Sequence, residues 1–184
     1  MRSYLLLYLL ISALSVTYQT AAASSLYVTF YRHANSYPDT LTLKHDFAMR
    51  PFITDTISVA AIKHLLGADF QIHKKCVPNK FISGQVDTLI TIQKNQSFIR
   101  LYAVSKSNKV FYEQAEIKDP IPVFKNSMRI GQTKNEIRKC LPELGSTKNI
   151  PDMILIVDEN DMDYLFLSFE DNKLQKVVFQ PYLD

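Results

Sequence analysis

His64, His73 and Cys76 are the side chains of this sequence that come nearest to a metal-ligand cluster. Imidazole and thiolate donors hold zinc when about four of them converge at roughly 2.0–2.3 Å. Here the two histidines stand nine residues apart, and Gly67 between them ends any helix they could share. The spacing points away from a metal, and His64 reads as a solvent-facing residue beside an apolar Leu65. The acidic run Asp158-Glu159-Asn160-Asp161-Met162-Asp163 invites a calcium reading. An EF-hand loop begun at Asp158 would place Met162 where an oxygen ligand is needed, Asp163 where Gly is needed and Phe169 where Glu is needed. The pattern fails, and a hairpin turn fits the run better. Ser83-Gly84 is a candidate nucleophile turn, but it lacks the Gly-x-Ser-x-Gly frame. Four scattered glycines cannot build a phosphate loop. An enzyme reading would need two or more of His64, His73, Asp87, Glu113 and Glu116 to converge in a cleft. No motif spacing joins them, so no catalytic residue, metal or cofactor is assigned and the chain is read as non-enzymatic. The basic run His73-Lys74-Lys75, with Lys80 beyond it, reads as a solvated loop that could also touch an acidic partner.

The chain offers aromatic side chains instead, with 11 Phe, 10 Tyr and no Trp. Tyr27, Phe30, Tyr31, Tyr102, Phe111, Tyr112, Tyr164, Phe166 and Phe169 all fall in segments rich in strand-forming residues. Along 164–169, Tyr164, Phe166 and Ser168 point one way while Leu165, Leu167 and Phe169 point the other. One face must pack under a helix. If the second face is open to water, Tyr102, Tyr112, Tyr164 and Phe166 form a protein-binding surface, since Tyr and Phe are enriched at interface cores. If both faces are covered, the same residues are core, as the unbroken apolar run at 153–157 favours.

These residues need elements to hold them. The stretch GQTKNEIRKCLPELG (131–145) carries helix signals at both ends. Thr133 and Glu136 make a capping box. Ile137, Cys140, Leu141 and Leu144 line one face, and Lys134, Asn135, Arg138 and Lys139 line the other. Pro142 ends the helix near Leu141. SVAAIKHLLG (58–67) repeats this arrangement with Ser58 as cap and Ile62, Leu65 and Leu66 as the apolar face. Downstream, residues 88–117 align over 152–180 at an offset of 64, each with three apolar runs separated by polar turns. Each block predicts three antiparallel strands joined by hairpins. Strands are also expected at 25–31, 40–44 and, in shorter form, 122–130. The two prolines in KDPIPV (118–123) mark a joint.

The first 23 residues have the three parts of a secretory signal: Arg2, the apolar run from Tyr4 to Val16, and Ala21-Ala22-Ala23. The apolar run, at about 13 residues, is shorter than the roughly 20 that a spanning helix needs, so no integral membrane segment is expected after cleavage. Without Arg2 the chain has 20 basic and 18 acidic side chains, a balance of +2. That argues against nucleic acid as a partner. In an oxidising compartment, Cys76 and Cys140 are candidates for one disulfide closing a loop of about 65 residues. The alternative is two free thiols, and the match of Cys140 to Leu65 in the repeat favours a core role for it.

Ile130, Gly131, Thr133, Lys134, Glu136 and Ile137 carry a resemblance. MRIGQTKNEIRKCLPELG is similar to the opening of a bacterial module found in the small lipoprotein of the outer-membrane β-barrel assembly machinery and in tandem-repeat β-lactamase inhibitor proteins. It departs at Pro142, and it has no cysteine placed for lipidation. The resemblance implies an extracytoplasmic, non-enzymatic protein that works by binding another protein. The combined expectation is an α+β fold of two tandem units, each a helix packed on an antiparallel β-meander. A signal peptide at 1–23 precedes the units, which run over 24–118 and 119–184. The expected role is an exported protein-binding module of the cell envelope, periplasmic or extracellular. The alternative is a periplasmic immunity-type or small-ligand-binding protein with 67–87 lining its site.

Overall fold

The structure is a computed structural model that describes residues 39–54, 56–79 and 81–183. The expected signal peptide and the strand expected at 25–31 lie outside these residues. The strands are β1 (Thr40–Lys44), β2 (Gln71–Pro78), β3 (Val86–Lys94), β4 (Ser97–Val104), β5 (Lys109–Ile117), β6 (Met153–Val157), β7 (Tyr164–Glu170) and β8 (Lys173–Gln180). Two helices accompany them, α1 (Val59–Leu66) and α2 (Lys134–Cys140).

Local chemistry accounts for most of these elements. In β3 and β4, Ile90, Ile92, Ile99 and Leu101 are buried on one face, and the residues between them are more exposed. That period of two is what a sheet with one packed face requires. Asp171 and Asn172 both take positive φ, 49° and 63°, as a two-residue type I′ hairpin demands. Ser58 caps α1 by accepting the Ala61 N–H at 3.1 Å. Thr133 and Glu136 form the expected capping box of α2. Gly131, at φ +90°, turns the chain so that its N–H reaches the Leu174 carbonyl at 2.7 Å. This seats the start of α2 against β8.

The tandem arrangement is overturned. All eight strands belong to one mixed sheet with the order β1-β6-β7-β8-β5-β4-β3-β2. The meanders β3-β4-β5 and β6-β7-β8 are fused along their last strands, where Ala115, Glu116 and Ile117 face Phe179, Val178 and Val177. β1 comes before the first meander in sequence, yet it pairs in parallel with β6 of the second. A three-stranded meander leaves two rows of unpaired backbone groups, and joining edge to edge satisfies one row of each. Strand pattern is local and does not say which edges meet.

Part of the proline-rich stretch at 118–123 packs into the core. Ile121 and Val123 are buried, and the Val123 carbonyl accepts the Ile53 N–H at 2.9 Å. Phe52 stacks on Phe124 at 5.7 Å, meets Tyr112 at 5.0 Å and meets Phe179 edge-on at 5.5 Å. This aromatic knot sits over the β5–β8 seam. Two helices of eight and seven residues contribute only part of the cover. The rest is largely irregular chain that brings Phe47, Phe52, Phe124, Met128, Leu144 and Ile150 into the same core. The strand expected at 122–130 reduces to a single bridge between Phe52 and Phe124.

Candidate functional site

The four aromatic residues expected to share one surface go to different places. Tyr112 is partly buried against the core, packed on Phe52 and Phe179, and burial pushes its phenol pKa up. Phe166 is buried, and its cross-strand neighbours Leu155 and Val178 on the same face are buried with it. Tyr164 stacks on Phe166 at 6.4 Å and donates its hydroxyl to the Asp161 carbonyl at 2.6 Å. Tyr102 turns its hydroxyl to the carboxylate of Asp87. Strand composition identifies aromatic residues but not the layer that covers them, and of the two expectations Phe166 follows the covered one.

The cysteines are both free thiols rather than a bridge. Cys76 is exposed on β2, and Cys140 is half-buried at the end of α2, where burial and then the charge of Glu136 push its pKa up. His64 and His73 are exposed on α1 and β2. Glu113 pairs with Arg100 at 3.2 Å, and Glu116 pairs with Lys118. Among the described residues, no three His, Cys, Asp or Glu side chains are placed to hold a metal. Asp158 is buried and serves its own turn, accepting the N–H groups of Met162 at 2.6 Å, Asp163 at 2.8 Å and Asn160 at 3.2 Å. Burial pushes its pKa up, but these bonds outweigh that and hold it below the usual carboxylate range. Beside α2, Ser127, Arg129, Ile130, Gly131, Gln132 and Glu136 line an open depression of about 500 Å³. A small-ligand site usually encloses 70–90% of its ligand, and this depression is too open for that.

The most highly organised polar cluster is centred on Asp87, at the start of β3. The carboxylate is fully buried, yet four residues donate to it. Tyr102 Oη lies at 2.6 Å, Asn79 Nδ2 at 2.5 Å, Gln85 Nε2 at 2.9 Å, and Ser105 gives its backbone N–H at 3.0 Å while its hydroxyl donates to the Val86 carbonyl. The Tyr102 bond is the largest influence on its pKa. With the other donors it overcomes burial and keeps the group ionised far below the usual range. Tyr102 is pushed up to about 12 by burial and by its bond to Asp87. A carboxylate has about four lone-pair positions, and here they are all engaged. Asp87 therefore cannot take a proton from a substrate near neutral pH, and Tyr102 cannot readily lose one. The pair does mechanical work, tying the β2–β3 loop to the β4–β5 turn.

Asn79, Phe81, Ile82 and Gln85 of the loop are held from within as well. Asn79 Oδ1 accepts the N–H groups of Phe81 at 2.8 Å and Ile82 at 2.6 Å, and Asn79 N–H reaches the Gln85 carbonyl at 2.9 Å. Gly84 adopts φ +77°, a left-handed conformation that suits glycine. What this scaffold presents is apolar: Phe81 is 69% exposed and Ile82 47%. Val86 and Phe111, the latter cross-strand from Tyr102, are exposed nearby. Lys106 and Lys109 at the β4–β5 turn are exposed at the same end, and Lys74 and Lys75 are exposed midway along β2. In sequence, Asp87 is visible only as one isolated carboxylate among several. Its donors come from three separate segments, so no spacing links them.

Comparison of the chain with protein-family models, curated proteins and solved structures finds no match.

Proposed function

We propose that this chain is an exported, non-enzymatic protein-binding module of the bacterial cell envelope, with the tip of the β2–β3 hairpin as its contact and Phe81 as the anchor. One observation carries this reading: a buried carboxylate with every acceptor position filled fixes a loop whose most apolar side chains face water. Leaving a phenyl ring exposed forgoes roughly 25 cal/mol per Å² of apolar surface. A rigid loop that does so is preordered for an apolar pocket on another protein, because the entropy of ordering is lost on folding and not on binding. Export is supported by the apolar run at 4–16 followed by Ala21-Ala22-Ala23, and a binding role by the resemblance of the segment at 128–145 to envelope modules.

The test is site-specific photo-crosslinking in the native host. Benzoylphenylalanine at position 81 should yield one discrete protein adduct. At Asp171, in the β7–β8 turn at the opposite end of the sheet, it should yield none. Equal labelling from both positions, or none from 81, would discard the reading.

A further inference from the structure

We infer that β2 is an open docking edge for an extended, acidic segment of a partner protein, which adds to the sheet as a ninth strand. This deepens the protein-binding reading above and rests on it.

Among the described residues, β2 ends the sheet and pairs only with β3, over all eight of its residues. In an antiparallel pair, about half of a strand's backbone N–H and C=O groups point away from its neighbour. On β2 these groups face solvent among the described residues, and six of the eight positions are exposed. Edges are usually protected by shortness, bulges, proline or charge. The opposite edge, β1, is only five residues long. β2 is longer, and its register with β3 runs unbroken from Gln71↔Gln93 to Pro78↔Val86. The irregularities of this sheet fall elsewhere, between β4 and β5 and between β7 and β8. Pro78 has no N–H, so it closes the ladder at the upper end.

The protection β2 does have is charge, and the charge selects the occupant. Lys74 lies opposite Ile90, on the core side of the sheet, and Lys75 lies opposite Leu89, on the other side. An added strand would have a lysine on each of its faces, with His73 one residue further along. A second copy of this chain is disfavoured, because antiparallel pairing centred on β2 sets the lysines of the two copies against each other, and like charges across strands repel. A segment with carboxylates on both faces gains at both lysines. Backbone bonds give such strand addition its affinity, and alternating side chains give it specificity. Past Pro78 the same segment reaches Phe81 and Ile82, so an apolar residue at that end completes the match.

The experiment uses the whole chain, isotopically labelled, and the capped peptide Thr-Glu-Glu-Val-Val-Thr-Phe, whose adjacent glutamates fall on opposite faces of an extended strand. Amide exchange at alternate residues of β2 should slow at least tenfold on binding. The double variant Lys74→Glu/Lys75→Glu should weaken binding at least tenfold with an unchanged thermal melt, since both side chains are exposed. A peptide with proline replacing the central valine should not bind. The inference is overturned if β2 exchange does not change, if the double variant binds equally well, if β2 becomes protected with rising protein concentration and no peptide, or if vesicles containing phosphatidylglycerol bind the chain and the peptide does not. A position-81 crosslink that persists while β2 stays unprotected would overturn the edge and leave the loop reading standing.

Discussion

Asp87 and Asp158 are buried carboxylates at the same end of the sheet, and each orders the turn beside it. Asp158 does so locally, with three N–H groups from the next five residues. Asp87 draws donors from Asn79, Gln85, Tyr102 and Ser105, which lie on both sides of two strands. The turn that Asp158 holds displays Glu159, Asn160 and Asp161 with a single exposed apolar residue, Met162, and Lys44 pairs with Asp161 at 3.0 Å. The loop that Asp87 holds displays Phe81 and Ile82. Similar chemistry makes an ordinary solvated hairpin in one place and a rigid apolar tip in the other. A turn needs only its own residues to close. A loop that presents apolar groups to water is also tied to the neighbouring strands, which keeps those groups from collapsing onto the sheet.

The severest way to break this comparison is to remove what both turns stand on. Phe52→Ala empties the aromatic knot over the seam and should cost about 3–5 kcal/mol, read by denaturant unfolding. It should reduce protection of both turns together. Next is Asp87→Asn, which replaces an acceptor by an amide in a site built of donors. Amide exchange through 79–85 should speed up more than tenfold and the position-81 adduct should disappear. Asp158→Asn should release only 159–163 and leave the adduct in place. If either variant loosens both loops equally, the contrast between local and non-local anchoring is wrong.

Acid offers a graded version of the same test. Asp87, chiefly through Tyr102, and Asp158, through backbone bonds that outweigh its burial, both sit below the usual carboxylate range in the folded chain. A group of this kind adds stability that is complete above its unfolded pKa of about 3.9 and is lost as pH falls toward its folded value. The melting temperature should therefore stay level from pH 7 to about pH 5 and drop below about pH 4, with a shallower drop in Asp87→Asn and in Asp158→Asn. Asp163 has the opposite sign, because burial raises its pKa. Asp163→Asn should raise the melting temperature more at pH 7 than at pH 4. The smallest effect is expected at the α2 cap, remote from both loops. Thr133→Ala should cost about 1 kcal/mol in unfolding free energy and leave exchange at 79–85 and 158–163 unchanged.

How much of this was legible followed the range of each interaction. The α2 capping box, the Ser58 cap and the hairpins of both meanders depend on residues within a few positions of each other, and their signals are plain in the chain. The reading of 158–163 as a turn succeeded for the same reason. β2 was missed because QIHKKCVP is basic and mostly exposed, so it lacks the alternation that marks a half-buried strand. The aromatic residues were left with two roles, open face or core, because alternation tells which residues share a face and says nothing of what lies above that face. Tyr112 and Phe166 both satisfy the strand pattern, yet Phe166 is buried and Tyr112 is partly buried against Phe52 and Phe179.

Composition and spacing alone determined that this chain builds two capped helices and two sets of hairpin-linked strands, since each of these is closed by neighbours in sequence. Tertiary structure alone decided that the strands form one sheet, that Phe52 and Phe124 lock its seam, that β2 is left as an edge, and that Asp87 gathers Asn79, Gln85, Tyr102 and Ser105. Those outcomes depend on which unpaired edges and buried donors meet after the chain has folded back on itself, and local patterning carries no record of that choice.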